Sequence, residues 1–271
     1  SAVPNTSFTS LPRELYVAIC NLDSDVYKTL PLISKSLAIT SRYNSNLERH
    51  GTWRTWHWNG ELNHCCHYKN GKLNGLSQKW YFYGQLLEQC YYKDGAINGE
   101  YTFWHFNGTC LKKCTYKNGK KEGSSRKWHV TGKLQELCYY KEGVIEGLYM
   151  LWDANGSLHK QYHCKAGKKC GEYKQWHKNG KLYVDSYYDN DVLEGECRHW
   201  YHNGVLSSIS QYHKGLMHGE YKNYHQNGTI AYQCTYENGY KEGICTEFFE
   251  DGRKKSEQEF KRDALHGKKK V

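Results

Sequence analysis

The stretch GEYKNYHQNGTIAYQCTYENGYKEG, residues 219–243, decides the fold of this 271-residue chain. It contains two Asn-Gly pairs, Asn227-Gly228 and Asn238-Gly239, about a dozen residues apart. Asn-Gly between short alternating segments is the strongest local signal of a β-hairpin, because a type I′ turn needs positive φ at both central residues. The stretch therefore predicts strands of about 6–8 residues joined by tight turns.

The same pattern recurs along most of the chain with a period of 24 residues. Three columns at this spacing hold all 26 glycines, and Asp191 and Asp263 fill two positions of the third column. Such a period is the signature of a repeat architecture in which each unit packs on its neighbours. The glycines begin at Gly51, so the sequence predicts a helical segment over residues 1–50 and a repeat array over residues 51–271.

We therefore expect a mainly β fold: an elongated, single-layered, twisted antiparallel β-meander of nine 24-residue hairpin repeats behind a small helical cap. A two-residue loop at the second glycine column would place the first glycine of each repeat opposite an aromatic residue 17 positions later, as for Gly51 and Tyr68. The turn residues chosen to mark these loops are Asn59, Gly60, Asn107, Gly108, Asn179, Gly180, Asn227 and Gly228.

Aromatic residues make up 15% of the chain, which suits thin sheets covered by rings better than a thick aliphatic core. One 24-residue column is tryptophan, and the residues opposite the glycines are mostly tyrosine. We expect this aromatic surface to bind a protein partner. The rings assigned to it are Trp80, Trp104, Trp128, Trp152, Trp176, Trp200, Tyr92, Tyr116 and Tyr140.

The repeat resembles the variant form of the MORN repeat, in which an aromatic-x-x-Asn-Gly-x-Leu core is followed by Tyr-x-x-Gly-x-x-x-Gly. The segments Trp176–Leu182 and Tyr92–Gly99 show the two halves. The resemblance covers about 220 of the 271 residues. It implies an elongated antiparallel sheet used for protein or lipid contacts, and it implies no catalytic chemistry, cofactor or small-molecule substrate.

The first fifty residues read as three short amphipathic helices. Their pattern resembles an F-box, whose members dock on the Skp-type adaptor of cullin-based ubiquitin ligases and present a target protein. A plain helical cap on the sheet is the alternative. The matching residues include Leu11, Pro12, Glu14, Leu15, Ile19, Leu22, Val26, Leu30 and Ile33. An F-box-like leader joined to such repeats is similar to repeat proteins of large DNA viruses.

Twelve cysteines raise the questions of disulfides and metal ions. Cys66, Cys90, Cys114 and Cys138 occupy one column, and same-phase residues in successive hairpins should lie about 9.6 Å apart. That spacing is too wide for a disulfide or a zinc site, so free thiols are expected. With no apolar stretch of the ~18 residues that span a bilayer, the chain is expected in a reducing intracellular compartment: cytoplasm, host cytoplasm or virion.

No paired carboxylates, nucleophile elbow or phosphate-binding loop is recognisable, so we expect no catalytic residue, metal ion or cofactor. The net charge of +10 permits an anionic lipid or nucleic acid as partner. However, glutamates beside the lysine column make the rim mixed in sign. Two functions remain open: a substrate adaptor for a ubiquitin ligase, or an architectural scaffold in a virion or at a membrane.

Overall fold

The computed structural model describes residues 49–266, and every regular element in that range is a β-strand. The 19 strands belong to one antiparallel sheet. The predicted helices, with the F-box-like residues Leu11, Pro12, Glu14, Leu15, Ile19, Leu22, Val26, Leu30 and Ile33, lie outside the described residues. The fold class predicted for the repeats is therefore confirmed as all-β hairpins, while the cap stays a prediction.

The chain divides into two compact units, which we call unit 1 and unit 2. Unit 1 comprises the residues up to Gly123 together with Val130–Gly132. Its strands are β1 (Gly51–Trp56), β2 (Leu62–Lys69), β3 (Lys72–Trp80), β4 (Leu86–Lys93), β5 (Ala96–Trp104) and β6 (Cys110–Lys117). Each of these strands pairs antiparallel with the next one along the chain.

Unit 2 comprises Ser124–His129 and the residues from Lys133 onward, so that β7 (Lys120–Trp128) contributes to both units. Its strands also pair in chain order. They are β8 (Leu134–Lys141), β9 (Val144–Trp152), β10 (Leu158–Lys165), β11 (Lys168–Trp176), β12 (Leu182–Asp189), β13 (Val192–Trp200), β14 (Leu206–His213), β15 (Leu216–Tyr224), β16 (Ile230–Glu237), β17 (Tyr240–Phe248), β18 (Lys254–Lys261) and β19 (Ala264–Leu265).

The third glycine column forms two-residue type I′ turns, as the sequence predicts. At Asn70 and Gly71 the φ angles are 49° and 74°, and Lys69 pairs directly with Lys72 across the turn. We call these loops the second turns. Each is tied to the preceding repeat through its backbone, as where the amide of Gly119 donates to the carbonyl of Ile97 at 2.8 Å.

Two of the second turns have aspartate where the others have glycine. Asp191 and Asp263 adopt φ angles of 69° and 64°, a region that side chains other than those of Asn and Asp rarely enter. Their carboxylates accept hydrogen bonds from the backbone amides of Lys169 and Lys241 at 2.8 and 2.7 Å. These bonds to the preceding repeat offset the cost of the left-handed backbone.

The loops at the second glycine column, which we call the first turns, differ from the prediction of two-residue type I′ turns. In the first of them the amide of Gly60 donates to the carbonyl of His57 at 3.0 Å, and only Gly60, at φ 86°, is left-handed. Asn59 is not. The loop is therefore three residues long, a type I turn completed by a glycine, which forms a bulge with the strands. The prediction was wrong because Asn-Gly also satisfies this longer loop.

The predicted register is nevertheless confirmed. Gly51 lies opposite Tyr68, Gly75 opposite Tyr92 and, at the position where tyrosine is missing, Gly147 lies opposite Cys164. The three-residue loop alone would shift the pairing by one residue. A bulge one step into the hairpin shifts it back, and the same correction recurs in the hairpins from β1–β2 to β5–β6 and from β9–β10 to β17–β18.

The first glycine column lies in a second kind of bulge. On the side facing the preceding strand, the pairing jumps from Cys66–Ser77 to Tyr68–Leu73, which leaves Gly75 unpaired on that side. Its φ of 103° lies beyond the left-handed region that asparagine tolerates. Glycine is thus needed here to turn the strand out of the ladder.

Small side chains form the interior of both units. In unit 1, Cys66 is 3% exposed, Cys90 is fully buried and the intervening Ser77 is 3% exposed. These three residues face one another across β2, β3 and β4. In unit 2, Cys138 is likewise fully buried. Cysteine and serine have small side chains, so the residues around them on neighbouring strands of the same sheet are enough to bury them.

Candidate interaction surface

The rings that the sequence assigned to partner binding are half-buried rather than exposed. Tyr92 and Tyr116 lie over Gly75 and Gly99 on the neighbouring strand, as a ring covering a bare glycine should. Half-buried with them are Trp80, Trp104, Trp128, Trp152, Trp176, Trp200 and Tyr140. Their contribution to partner binding stays a prediction.

Other tyrosines of unit 2 form a stacked row. The ring centroids of Tyr149 and Tyr162 are 4.7 Å apart, and those of Tyr162 and Tyr173 are 5.7 Å apart. The ammonium of Lys169 lies 5.0 Å from the ring centroid of Tyr188. Burial raises the pKa of Tyr162 to about 12. The row is thus an internal packing feature in which each ring already has an aromatic or cationic neighbour.

A different set of apolar residues is exposed, at the tips of the first turns of unit 1. Trp58 is 87% exposed, Phe82 52%, Phe106 62% and Val130 43%. Each is the first central residue of its turn, and we call the four the loop-tip row. Sequence reasoning missed it, although an apolar residue two positions before each second-column glycine, from Gly60 to Gly132, was the signal that could have revealed it.

The backbone that carries the loop-tip row is held by side chains from the preceding repeat. The Nδ2 amide of Asn59 donates to the carbonyl of Phe82 at 2.5 Å, and that of Asn107 donates to the carbonyl of Val130 at 3.1 Å. The ring of His57 hydrogen-bonds to the carbonyl of Trp80 at 2.8 Å, one step inside the same edge. The tips at Phe82 and Val130 are therefore presented on an anchored backbone.

The equivalent tips of unit 2 are not aromatic, although their turns are anchored in the same way. Asn179 donates to the carbonyl of His202 at 2.6 Å, and Asn227 donates to that of Glu250 at 2.9 Å. Because the anchor uses only the carbonyl, the fold does not need an apolar side chain at the tip. The unit 2 residues at this position are Ala154, Lys178, His202, Gln226 and Glu250, and all are exposed.

A family model described as the MORN repeat variant matches six segments: 49–70, 97–118, 169–190, 193–214, 217–238 and 241–262. Residues 49–262 carry MORN-variant repeats. The resemblance noted in the sequence is thereby confirmed for the repeats, while the F-box-like segment has no such match.

None of the curated proteins matches the chain. Among solved structures, the MORN-variant array is similar to two crystal structures, of TcdB2-TccC3-Cdc42 and of TcdB2-TccC3. Sequence identity is 10% and the TM-score 0.20 in both cases. The matches cover 77% and 79% of this chain but only 13% and 14% of those chains. A likeness this weak carries no argument about function.

Cys66, Cys90, Cys114 and Cys138 form no disulfide in the MORN-variant repeats, as the spacing argument predicts, whereas Cys234 of the same column is paired with Cys245. Burial raises the pKa of the Cys66 thiol to about 11. At neutral pH such a thiol is protonated and therefore a poor nucleophile.

Within residues 49–266 there is one disulfide, between Cys234 on β16 and Cys245 on β17, with the Cα atoms 4.3 Å apart. The sequence analysis considered only same-phase cysteines, two strands apart, and so did not predict a pair on adjacent strands. Elsewhere in the array the residue opposite a column cysteine is usually serine or tyrosine, as for Ser77 opposite Cys66 and Tyr101 opposite Cys90.

The histidine-rich segment His64–His67 was the densest group of metal-ligand types in the sequence. The Nε2 atom of His64 lies 2.9 Å from Oγ of Ser77, and the ring of His67 hydrogen-bonds to the carbonyl of Leu76. Within residues 49–266, no three His, Cys, Asp or Glu side chains gather where they could hold a metal ion.

The pair formed by His64 and Ser77 resembles a base beside a hydroxyl nucleophile, but its surroundings oppose that use. Ser77 is 3% exposed, so a substrate cannot reach its Oγ atom. Burial, aided by nearby Lys79, lowers the pKa of His64, which is compatible with a base, so the burial of Ser77 is the feature that opposes this use. The Lys79 ammonium pairs with Glu88 at 3.0 Å, and the Tyr101 hydroxyl donates to the same carboxylate at 3.3 Å. The cluster is a satisfied hydrogen-bond network across adjacent hairpins.

The glutamates of the mixed-charge rim have a structural task in the MORN-variant repeats. Carboxylates of Glu146, Glu194 and Glu242 accept hydrogen bonds from the backbone amides of the next second turn, at 2.7, 2.7 and 3.1 Å. The sequence analysis took them only as a solubilising counterweight to the lysines.

No helix in residues 49–266 is long and apolar enough to cross a bilayer.

Proposed function

We propose that this chain is a non-catalytic scaffold that binds proteins, and that unit 1 binds them through the loop-tip row. The observation that supports this most directly is the contrast between the two units at one structural position. Trp58, Phe82 and Phe106 are 87%, 52% and 62% exposed, whereas unit 2 has polar or small residues at the same position of the turn. At His202, for example, the backbone carbonyl is anchored as that of Phe82 is, but the side chain is polar. Exposed aromatic anchors on a fixed backbone are typical of protein-binding surfaces.

Affinity capture with three forms of the chain tests this proposal. The first is wild type, the second carries Trp58→Ser, Phe82→Ser and Phe106→Ser, and the control carries Tyr187→Ser, Tyr240→Ser and Ile244→Ser. The control residues are 48%, 48% and 57% exposed in unit 2, so a similar amount of apolar surface is removed. We expect the same proteins with wild type and control and their loss with the loop-tip variant. Equal recovery with all three forms would refute this function.

We further propose that residues 1–50 act as an F-box-type adaptor segment, so that the array presents a target protein to a cullin-based ubiquitin ligase. The support is the sequence pattern around Leu11, Pro12, Glu14 and Leu15. Wild-type chain should retain the Skp-type adaptor in a pull-down, and Leu11→Ala with Leu15→Ala should abolish retention. Failure of the wild-type chain to bind the adaptor would exclude this role.

An architectural scaffold, in a virion or at a membrane, is the second candidate. The hydrogen bonds that join each repeat to the next, such as that from Asn227 to Glu250, favour a mechanically continuous array. Under this proposal, residues 1–50 only cap the sheet, so their deletion should cause aggregation or end-to-end association through the exposed first strand.

Binding of anionic lipid or nucleic acid is the weakest candidate, because the first three loops of the loop-tip row contain one charged residue, Glu61. It requires affinity to collapse between about 50 and 200 mM salt. An intracellular, reducing location, including host cytoplasm or a virion, remains part of the proposal. It is supported by the thiols of Cys66, Cys90 and Cys114, which form no disulfide, and opposed by the Cys234–Cys245 disulfide.

A further inference from the structure

We propose that the loop-tip row of unit 1 is a self-association surface, on which a second copy of the chain packs about a two-fold axis. This inference rests on the proposed function, since it names the partner of the same surface. It is argued from the area that the row exposes and from the sizes of its four side chains.

The exposed area is sufficient for a specific dimer. With the usual surface of an aromatic side chain, Trp58, Phe82, Phe106 and Val130, together with Tyr83 at 44% exposure, leave roughly 550 Å² uncovered. Two copies that cover each other's rows would bury about 1,100 Å², just above the ~1,000 Å² that a specific interface needs. A single-residue contact could not reach this value.

A second copy also matches the spacing of the row. Loops of successive hairpins are two strands apart, or about 9.6 Å. A partner with the same repeat has the same spacing, so every tip can meet a tip without distortion. The residues that follow the four loop glycines are Glu61, Gln85, Thr109 and Lys133, whose charges cancel, so the row offers no net charge to an anionic surface.

The order of side chains along the row favours a two-fold arrangement over a head-to-tail one. The largest residue, Trp58, stands at one end and the smallest, Val130, at the other. Antiparallel apposition places Trp58 against the partner subunit's Val130 and Phe82 against the partner subunit's Phe106. Large then meets small at both ends, and rings of equal size meet in the middle. Such an interface is isologous and closes at two copies.

Sedimentation equilibrium of the full chain, from about 1 to 100 µM, tests the inference. We expect a dimer with a micromolar dissociation constant, as suits an interface at the lower size limit. The variant with Trp58→Ser, Phe82→Ser and Phe106→Ser should dimerise at least about a hundredfold more weakly. The Tyr187→Ser, Tyr240→Ser, Ile244→Ser control should match wild type. A wild-type chain that stays monomeric, or equal association by both variants, overturns the inference.

Exchanging the side chains at positions 58 and 130 tests the two-fold pairing, because the double variant keeps the same two apolar side chains in swapped places. Trp58→Val alone and Val130→Trp alone should each weaken the dimer about tenfold, because one leaves a gap and the other a clash. The two together should restore the affinity to within about threefold of wild type. If the double variant is weaker than both single variants, the proposed pairing is wrong.

The same samples separate this inference from the proposed function. If wild type is monomeric but the loop-tip variant still loses captured proteins, self-association fails and the protein-binding function stands. If wild type dimerises through the row while capture of other proteins is unaffected by the variant, self-association stands and binding of other proteins through this row fails.

Discussion

The two sets of turns in this protein are held in place by different hydrogen bonds. First turns are anchored by side chains, such as that of Asn107, which donates to the carbonyl of Val130. Second turns are anchored by a backbone amide, as where that of Gly119 donates to Ile97, and by carboxylates, as where that of Glu146 accepts from the amide of Ala166. The anchor of a first turn leaves the side chain at the tip free, whereas both central residues of a second turn are left-handed, a conformation that bulky apolar side chains rarely adopt. This difference explains why the exposed apolar row lies on the first turns.

The largest effect is expected beside the second turns, at a bulge glycine. Gly99 has φ of 116°, and an added Cβ atom would lie 3.5 Å from the Cβ atom of Tyr91. Gly99→Ala should cost about 2 kcal/mol in the free energy of unfolding, because the backbone must leave this region or bear the strain. Denaturant unfolding, with hydrogen exchange of β4 and β5, measures the loss.

The matched control is Gly108→Asn in a first turn. Gly108 has φ of 81° and nothing within 4 Å of an added Cβ atom, and asparagine tolerates this region. Its cost should be about 0.5 kcal/mol. Equal costs for the two variants would contradict the distinction between the bulge and the turn.

A smaller effect is expected on removing a side-chain anchor. Asn107→Ala loses the hydrogen bonds to Val130 and to the Thr109 amide, so it should cost about 1 kcal/mol. In a second turn, Asn118→Gly keeps the left-handed backbone and should be nearly neutral. The denaturant midpoints of both variants measure the two losses of stability. A loss at Asn118→Gly as large as that at Asn107→Ala would show that both kinds of turn depend on the side chain of their own asparagine.

The pH dependence of the second turns gives a finer test. Hydrogen bonds with the His213 ring and from the Lys214 amide hold the pKa of Glu194 below its usual range. A carboxyl whose pKa is lower in the folded state stabilises the fold above its unfolded pKa and loses that contribution as pH falls through the folded pKa. The difference in denaturation midpoint between wild type and Glu194→Gln should therefore be present at pH 7 and fade below about pH 4.3.

Glu237→Gln serves as the control for Glu194→Gln, since Glu237 is also on the surface of unit 2 and has no bond to a turn amide among the hydrogen bonds of residues 49–266. Its midpoint difference should be small at every pH. An unchanged difference for Glu194→Gln down to pH 3 would show that the carboxylate does not stabilise the turn.

The smallest effect is expected at the turn tips themselves. Phe82→Ser in unit 1 and Lys178→Ala in unit 2 should each change the free energy of unfolding by less than about 0.5 kcal/mol, because the anchors use backbone carbonyls rather than these side chains. Thermal and denaturant unfolding at low protein concentration measure this. A loss above about 1 kcal/mol at Phe82→Ser would mean that the ring supports the fold, and the case for a binding row would fall.

The sequence predicted the register for a partly wrong reason. A two-residue loop at Asn59-Gly60 was assumed, yet Gly51 lies opposite Tyr68 although the loop has three residues. A compensating bulge near the loop restores the pairing, and nothing local in the sequence marks that bulge. Turn type depends on how the strands twist around the loop, which single residues do not specify.

The fold was predicted from the sequence, but the most exposed aromatic residues were not identified from it. The tryptophans from Trp80 to Trp200 are half-buried, whereas the exposed rings lie in turns that the sequence analysis had interpreted only as connections between strands. Periodicity indicates which residues share a row, but exposure depends on how far a turn projects. The Cys234–Cys245 pair was missed for a related reason: cysteines two strands apart were compared, and neighbours across a bulge were not.

The sequence by itself determined the repeat, the strand order and the residues that face one another, because each hairpin closes within 24 residues and its turns are encoded locally. Which hydrogen bonds hold each set of turns, and hence which apolar residues reach solvent, depends on how one repeat packs on the next. Those anchors join residues 20 to 23 positions apart in different repeats, and no local pattern of polar and apolar residues specifies them.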